Sequence, residues 1–153
     1  MRIYTKRGDK GTTFLTEEVA KDADIIHAMG KLDAFLTTLD RCREHEGIPE
    51  LQEKLSITAG EIVGTRTTTT ITEADITALE EAMDAMNLDV PPVFVSFTKP
   101  QAQRLSEARV ACRALERRLT PLLREEKISP TLYAYINRLS DYLFSLAFKK
   151  ETR

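Results

Sequence analysis

Apolar residues recur three and four positions apart along most of this chain, the spacing of one buried face of an α-helix. From residue 23, Ile25, Ile26, Met29, Leu32, Leu36 and Leu39 trace a first helix. Leu51, Leu55, Thr58 and Ile62 trace a second. The Thr-rich run 65–70, either a plain connection or a mobile loop, separates it from a third. Thr72 followed by Glu73 and Asp75 reads as an N-cap with an acidic first turn, opening a helix on Ile76, Leu79, Met83 and Met86. Pro91-Pro92 stops anything helical, and residues 93–97, β-branched and aromatic, form a brief extended piece or a buried loop. A fourth helix after Pro100 carries Leu105, Ala108, Cys112, Leu115 and Leu119 and closes near Thr120-Pro121. Ser129-Pro130 then supplies an N-cap and a first-turn proline for a fifth helix on Leu132, Ile136, Leu139, Leu143 and Ala147. The expectation is an all-α, five-helix bundle with a short irregular N-terminal segment.

At 153 residues the chain suits a single domain, 1–153, with residues 1–22 as the N-terminal segment and 23–150 as the bundle. Lys and Arg total 22 against 24 Asp and Glu, too balanced for a nucleic-acid coat, which needs an excess of cations to neutralise phosphates. A local cation cluster can still hold a small anion. No apolar run reaches the ~18 residues of a membrane span, and the first residues lack the apolar stretch of a signal peptide, so the expected compartment is cytoplasmic. Cys42 and Cys112 are far apart, and Cys112 falls within an apolar stripe as core filler. His27 and His45 stand alone on or near exposed helix, and no metal-ligand set is expected.

Three places carry candidate chemistry. Residues 4–13, Tyr-Thr-Lys-Arg-Gly-Asp-Lys-Gly-Thr-Thr, concentrate glycines, cations and hydroxyls. Glycines let backbone N–H groups converge on an anion, so this is a phosphate cradle or a charged turn, without Walker A spacing. On the fourth helix Arg109, Arg113 and Glu116 share a face, as a ligand wall or a solvated stripe. On the fifth, Asn137, Arg138 and Asp141 form a matching set that lines a ligand site or meets a neighbouring subunit.

Together, Y-T-x-x-G-D-K-G-T-T at 4–13, R-x-x-x-R-x-x-E-R at 109–117 and N-R-L-S-D-Y-L-F at 137–144 resemble the PduO-type ATP:corrinoid adenosyltransferases, in order along the whole chain. The resemblance implies a five-helix bundle assembled as a homotrimer with sites between subunits. It implies transfer of the 5′-deoxyadenosyl group of ATP to cob(I)alamin, giving adenosylcobalamin and triphosphate, with Mg²⁺ accompanying the ATP. By the same resemblance Thr5, Lys6, Gly8, Asp9, Lys10, Gly11, Thr12 and Thr13 hold the triphosphate, and Arg109, Glu116 and Asn137 fix the nucleotide. Arg113 pairs with Asp33 near the corrin edge, and Phe94 matches the phenylalanine that displaces the lower axial ligand, with Phe97 close enough to compete for that role. A cobalamin reductase and an adenosylcobalamin-dependent enzyme are the implied partners.

The departures gather on the corrin side. Where the family usually continues Glu-Leu-Asn-Ser after Asp33, this chain has Ala34-Phe35-Leu36-Thr37. A usual Pro-Gly-Gly turn after Phe94 is replaced by Ser96-Phe97-Thr98-Lys99-Pro100, and the terminal Leu-Ala-Arg reads Leu146-Ala147-Phe148. The alternative reading is therefore a non-catalytic trimeric ATP-binding relative with a regulatory task, and a purely structural bundle is a third.

Overall fold

The computed structural model describes residues 1–65 and 71–153. Its elements are β1 (Thr12–Phe14), β2 (Glu18–Ala20), α1 (Asp24–Asp40), α2 (Ile48–Val63), α3 (Glu73–Met86), α4 (Pro100–Arg124) and α5 (Pro130–Thr152). The expectation of five helices holds. The connection 66–70 lies outside the described residues, so the reading of 65–70 as linker or loop is not addressed beyond Thr65.

Each helix forms because its apolar stripe finds a facing stripe. On α4, Ala102, Leu105, Ala108, Cys112, Leu115, Leu119 and Leu122 are all buried, stepping by three and four along one side. They meet Leu132, Ile136, Leu139, Leu143 and Ala147 of α5, and the two long helices pack along their length. α1 lies against α4 through Ala28, Leu32, Phe35 and Leu39. α3 leans on α5, and α2 on α1.

The helix starts are chemically specified. Thr72 and Asp75 form a capping box on α3, each side chain serving the other's backbone N–H. Ser129 caps α5, its Oγ accepting from Leu132 N at 3.1 Å with Pro130 in the first turn.

Three expectations needed correction. The N-terminal segment is not wholly irregular: Thr12–Phe14 pairs antiparallel with Glu18–Ala20, Thr13 opposite Val19. α4 does not close near Pro121 but runs on to Arg124. Pro121 falls in the last turn, where it forgoes one i→i−4 bond, while Leu122 beyond it is only 1% exposed and draws the chain onto the core. Residues 93–97 are neither a strand nor a buried loop. They run irregularly across the surface, with Phe94 93% exposed.

Candidate active site

The N-terminal segment folds into a compact cradle. Lys6 (φ 60°) and Gly11 (φ 85°) take left-handed backbone conformations. The turns close through Asp9 N–H to Lys6 O at 3.4 Å and Gly11 N–H to Gly8 O at 3.2 Å. At Gly11 the left-handed φ explains the glycine, because a Cβ is strained there even though space is open. Lys21 N–H donates to Gly11 O at 2.8 Å, tying the turn to the end of β2.

Thr5, Gly8, Thr12 and Thr13 line a cavity of about 530 Å³ together with Arg7, Phe14 and Glu18. Lys6, Asp9, Lys10 and Gly11, expected in the same role, lie exposed beside it rather than on its wall. Two members escaped the sequence reading. Lys21 reaches over Gly8, where a Cβ would stand 2.8 Å from its Nζ and push the ammonium aside. Glu18 accepts from Thr12 Oγ1 at 2.7 Å and holds the hydroxyl in place.

The second half lies between α1, α4 and the segment 93–97. Lys31, Ala34, Phe94, Phe97, Arg109 and Val110 border a mostly apolar cavity of about 760 Å³. Arg109 is held by an aromatic ring and by no carboxylate among the described residues. Its guanidinium carbon lies 5.9 Å from the centre of the Phe144 ring, and its Nε is buried without a hydrogen-bond partner. Among the described residues it makes no ion pair. One turn on, Arg113 Nη1 sits 3.4 Å from Glu116 Oε2.

The expected pairing of Arg113 with Asp33 is not made within the protomer. Arg113 is taken up by Glu116, and Asp33 opens onto a different groove, lined by Asp40, Arg43, Glu50 and Glu53 between α1 and α2. Asn137 is half-buried on α5. It follows Ile136, whose carbonyl accepts from Cys112 Sγ at 3.3 Å, so Asn137 and Arg113 each come one residue after this α4–α5 contact. Arg138 is committed to structure, pairing with Glu80 of α3 at 2.9 Å and Asp141 at 3.3 Å.

Cys112 is fully buried core, and burial pushes its thiol well up. His45, expected on exposed helix, is only 7% exposed. Its Nε2, 3.6 Å from Glu44, finds no hydrogen bond, and burial lowers its pKa. No group of three or more His, Cys, Asp and Glu side chains able to hold a metal occurs among the described residues. None of their helices is long and apolar enough to cross a membrane.

In one protomer the two halves stand apart. The hairpin rests by Val19 and Leu15 against Ile25, Ile62 and Leu122, around a cavity of about 400 Å³. Leu122 is 13 residues beyond Arg109, roughly 20 Å along the α4 axis. The arrangement thus supplies a hydroxyl-lined cavity at one end of α4 and, at the other, a mostly apolar cavity beside Arg109, which makes no ion pair among the described residues.

Fold and site together describe a helical bundle with two separate cavities, one lined by hydroxyls and one mostly apolar. A family model described as cobalamin adenosyltransferase matches residues 3–150. The corrinoid adenosyltransferase of Citrobacter freundii is 36% identical over 168 residues, covering 99% of this chain and 96% of its own. The human corrinoid adenosyltransferase MMAB is 32% identical over 170 residues, covering 95% of this chain and 67% of its own. The corrinoid adenosyltransferase PduO of Salmonella typhimurium is 35% identical over 165 residues, and the chain spans 49% of its length. Among solved structures, a variant PduO-type adenosyltransferase from Lactobacillus reuteri complexed with ATP superposes with a TM-score of 0.87 at 26% identity, covering 99% of this chain and 94% of that one. Another variant, complexed with cobalamin and ATP, gives a TM-score of 0.84 at 26% identity over 99% of this chain and 91% of that one. The chain belongs to the cobalamin adenosyltransferase family, and is a transferase.

Proposed function

We propose that this chain moves the 5′-deoxyadenosyl group of ATP onto cob(I)alamin, releasing triphosphate, and that it divides the task between the two halves described above. The observation carrying this reading is Arg109, a cation without an ion pair among the described residues, beside the apolar cavity that Phe94 borders. A guanidinium that no described carboxylate compensates is suited to an anionic or carbonyl-rich ligand.

No protein side chain has to attack. The electron pair that forms the cobalt–carbon bond comes from cob(I)alamin, and the pair of the broken C5′–O bond leaves with the triphosphate. The protein therefore works by positioning and by stabilising the departing charge. Thr5, Thr12 and Thr13 hydroxyls, the N–H groups around Gly8 and Gly11, and the ammonium groups of Lys6, Lys10 and Lys21 serve the triphosphate. Asp9 takes part through its turn, its N–H closing onto Lys6. Arg113, Glu116 and Asn137 fix the nucleotide. Because Arg109 and not Arg113 borders the Phe94 cavity, Arg109 takes the corrin side and Arg113 the nucleotide side, exchanging the roles that the family resemblance implied. Phe94 and its apolar surroundings exclude water and disfavour the lower axial ligand.

Mg²⁺ enters with the ATP, since Mg²⁺ is commonly held by substrate phosphates and one or two carboxylates and needs no all-protein cage. The separation of cradle and cavity within a protomer supports a homotrimer whose sites lie between subunits. The reaction belongs to the cytoplasm, with a cobalamin reductase supplying cob(I) and an adenosylcobalamin-dependent enzyme taking the product. Following ³¹P signals during turnover tests the bond that breaks: one triphosphate per corrinoid consumed is expected, and pyrophosphate or ADP would refute the assignment. Mixing a Gly11→Ala protein with an Arg113→Ala protein tests the shared site. Partial recovery of activity is expected if neighbouring subunits complete each other, and none if each protomer works alone.

A further inference from the structure

The segment bearing Phe94 has almost no internal support. Between the end of α3 at Met86 and the start of α4 at Pro100 it forms no regular element, and Phe94 stands 93% exposed. Its two ends are held by the last turn of α5. Glu151 accepts from Thr98 N–H at 3.0 Å, from Thr98 Oγ1 at 2.5 Å and from Lys99 N–H at 3.0 Å. Arg153 Nη2 donates to Met86 O at 3.2 Å, across the other end. In between, Gln103 Nε2 donates to Phe97 O at 3.0 Å.

The ring of Phe97 meets the edge of Phe144 at 6.0 Å between centroids, and Phe144 stacks on Phe148 at 6.2 Å. Phe97 and Phe148 belong to two of the departures found in the sequence, and Phe144 brings them into one stack. Phe144 also carries Arg109. The replaced turn and the replaced C-terminal position are thus neighbours in space.

We propose that Glu151 is a positioning residue: its three hydrogen bonds fix the Thr98–Lys99 end of the segment and so set how Phe94 stands over the corrin cavity. The proposal rests on the transferase reading for its catalytic consequence, and on geometry alone for the clamp. A carboxylate accepting three bonds from two adjacent residues fixes both the direction and the height of the chain it holds, which a single contact would not. Without it the Thr98–Lys99 end is left to Gln103 and the Phe97 ring, with Arg153 still holding the Met86 end, and Phe94 loses its stance while the nucleotide side is untouched.

The test uses the full chain with Glu151→Ala, Glu151→Gln and Thr98→Val. In Glu151→Ala, kcat for adenosylcobalamin formation should fall about tenfold while KM for ATP stays within about twofold. The fraction of bound cob(II)alamin that has lost its lower ligand, read by electron paramagnetic resonance in the presence of MgATP, should fall with kcat. Glu151→Gln, which keeps an accepting oxygen, should recover part of both readouts, and Thr98→Val should shift both the same way by less. If kcat and ligand displacement are unchanged in folded Glu151→Ala protein, or if the loss appears equally in KM for ATP, Glu151 does not position Phe94. Hydrogen exchange at the Thr98 and Lys99 amides reads the clamp without activity: protection in the parent and its loss in Glu151→Ala are expected, and equal exchange overturns the clamp. A parent chain with protected amides but no conversion of cob(I)alamin would sink the transferase reading and leave the clamp standing.

Discussion

Replacing Phe144 with Leu should loosen Arg109 without removing it. The ring gives Arg109 its cation–π contact at 5.9 Å, and the guanidinium has no ion pair among the described residues to fall back on. For a half-exposed pair that contact contributes about 0.5–1 kcal/mol. If the stance of Arg109 matters only in the reacting complex, kcat/KM for the corrinoid should fall about two- to fivefold. Stability should fall too. The stack with Phe97 and Phe148 contains two ring pairs of about 0.5–1.5 kcal/mol each, so roughly 1–3 kcal/mol is lost. At about 2–4 °C per kcal/mol for a chain of this size, the midpoint should drop by roughly 2–12 °C. The assay is steady-state adenosylation at varied corrinoid, in the parent and in an Arg109→Ala background, with thermal unfolding alongside. The account expects the kinetic loss in the parent and little further loss once Arg109 is gone. Equal losses in both backgrounds would refute it, since Phe144 would then act through Phe97 and the loop rather than through the cation.

Other sites give sharper single outcomes. Gly11→Ala places a Cβ at φ 85°, which should cost about 1–2 kcal/mol, and titration calorimetry should show weaker ATP binding with little change at the corrin side. Ser129→Ala removes the side-chain cap that accepts from Leu132 N–H on α5 and should cost about 1 kcal/mol in denaturant unfolding, with unchanged slope. Asp75 links stability to pH. Burial alone would raise its carboxyl above the ordinary 3.8, but the Lys54 ammonium with the Thr72 N–H and hydroxyl more than offsets this and holds it below. A folded value below the unfolded one gives stability that is present above the ordinary carboxylate range and lost as pH falls through the folded value. Asp75→Asn should therefore lower stability at neutral pH and flatten its decline below pH ~4, as followed by urea midpoints at stepped pH; an unchanged decline would contradict the pairing.

Much of the fold was legible because helices announce themselves locally. The stripe Leu105, Ala108, Cys112, Leu115, Leu119 recurs at three and four, and each member is buried. Ser129-Pro130 and the Thr72–Asp75 pair sit where caps are needed, and the structure uses them so. The hairpin was hidden because each of its strands has three residues, too short for alternation to stand out from a polar segment. Pro121 misled because a proline ends a helix only when nothing beyond it repays continuation, and Leu122 does.

The site was legible in its parts and not in its partners. Composition leaves residues 4–13 as a phosphate cradle or a charged turn, and the approach of Lys21 over Gly8 depends on β2 folding back. Arg109 and Arg113 share one face by spacing, but which one stays uncompensated depends on Phe144 and Glu116 as neighbours in space. Glu151 and Thr98 stand 53 residues apart, so no local pattern could join them.

The measurement closest to the central claim is a single-turnover spectrum: purified protein, chemically reduced cob(I)alamin and MgATP in the absence of oxygen. The account predicts that the cob(I)alamin absorbance decays into that of adenosylcobalamin, in step with triphosphate release, and that the Gly11→Ala protein slows both together. Bound ATP with cob(I)alamin left unalkylated would contradict it, and would leave a nucleotide-binding member of the family without the transfer.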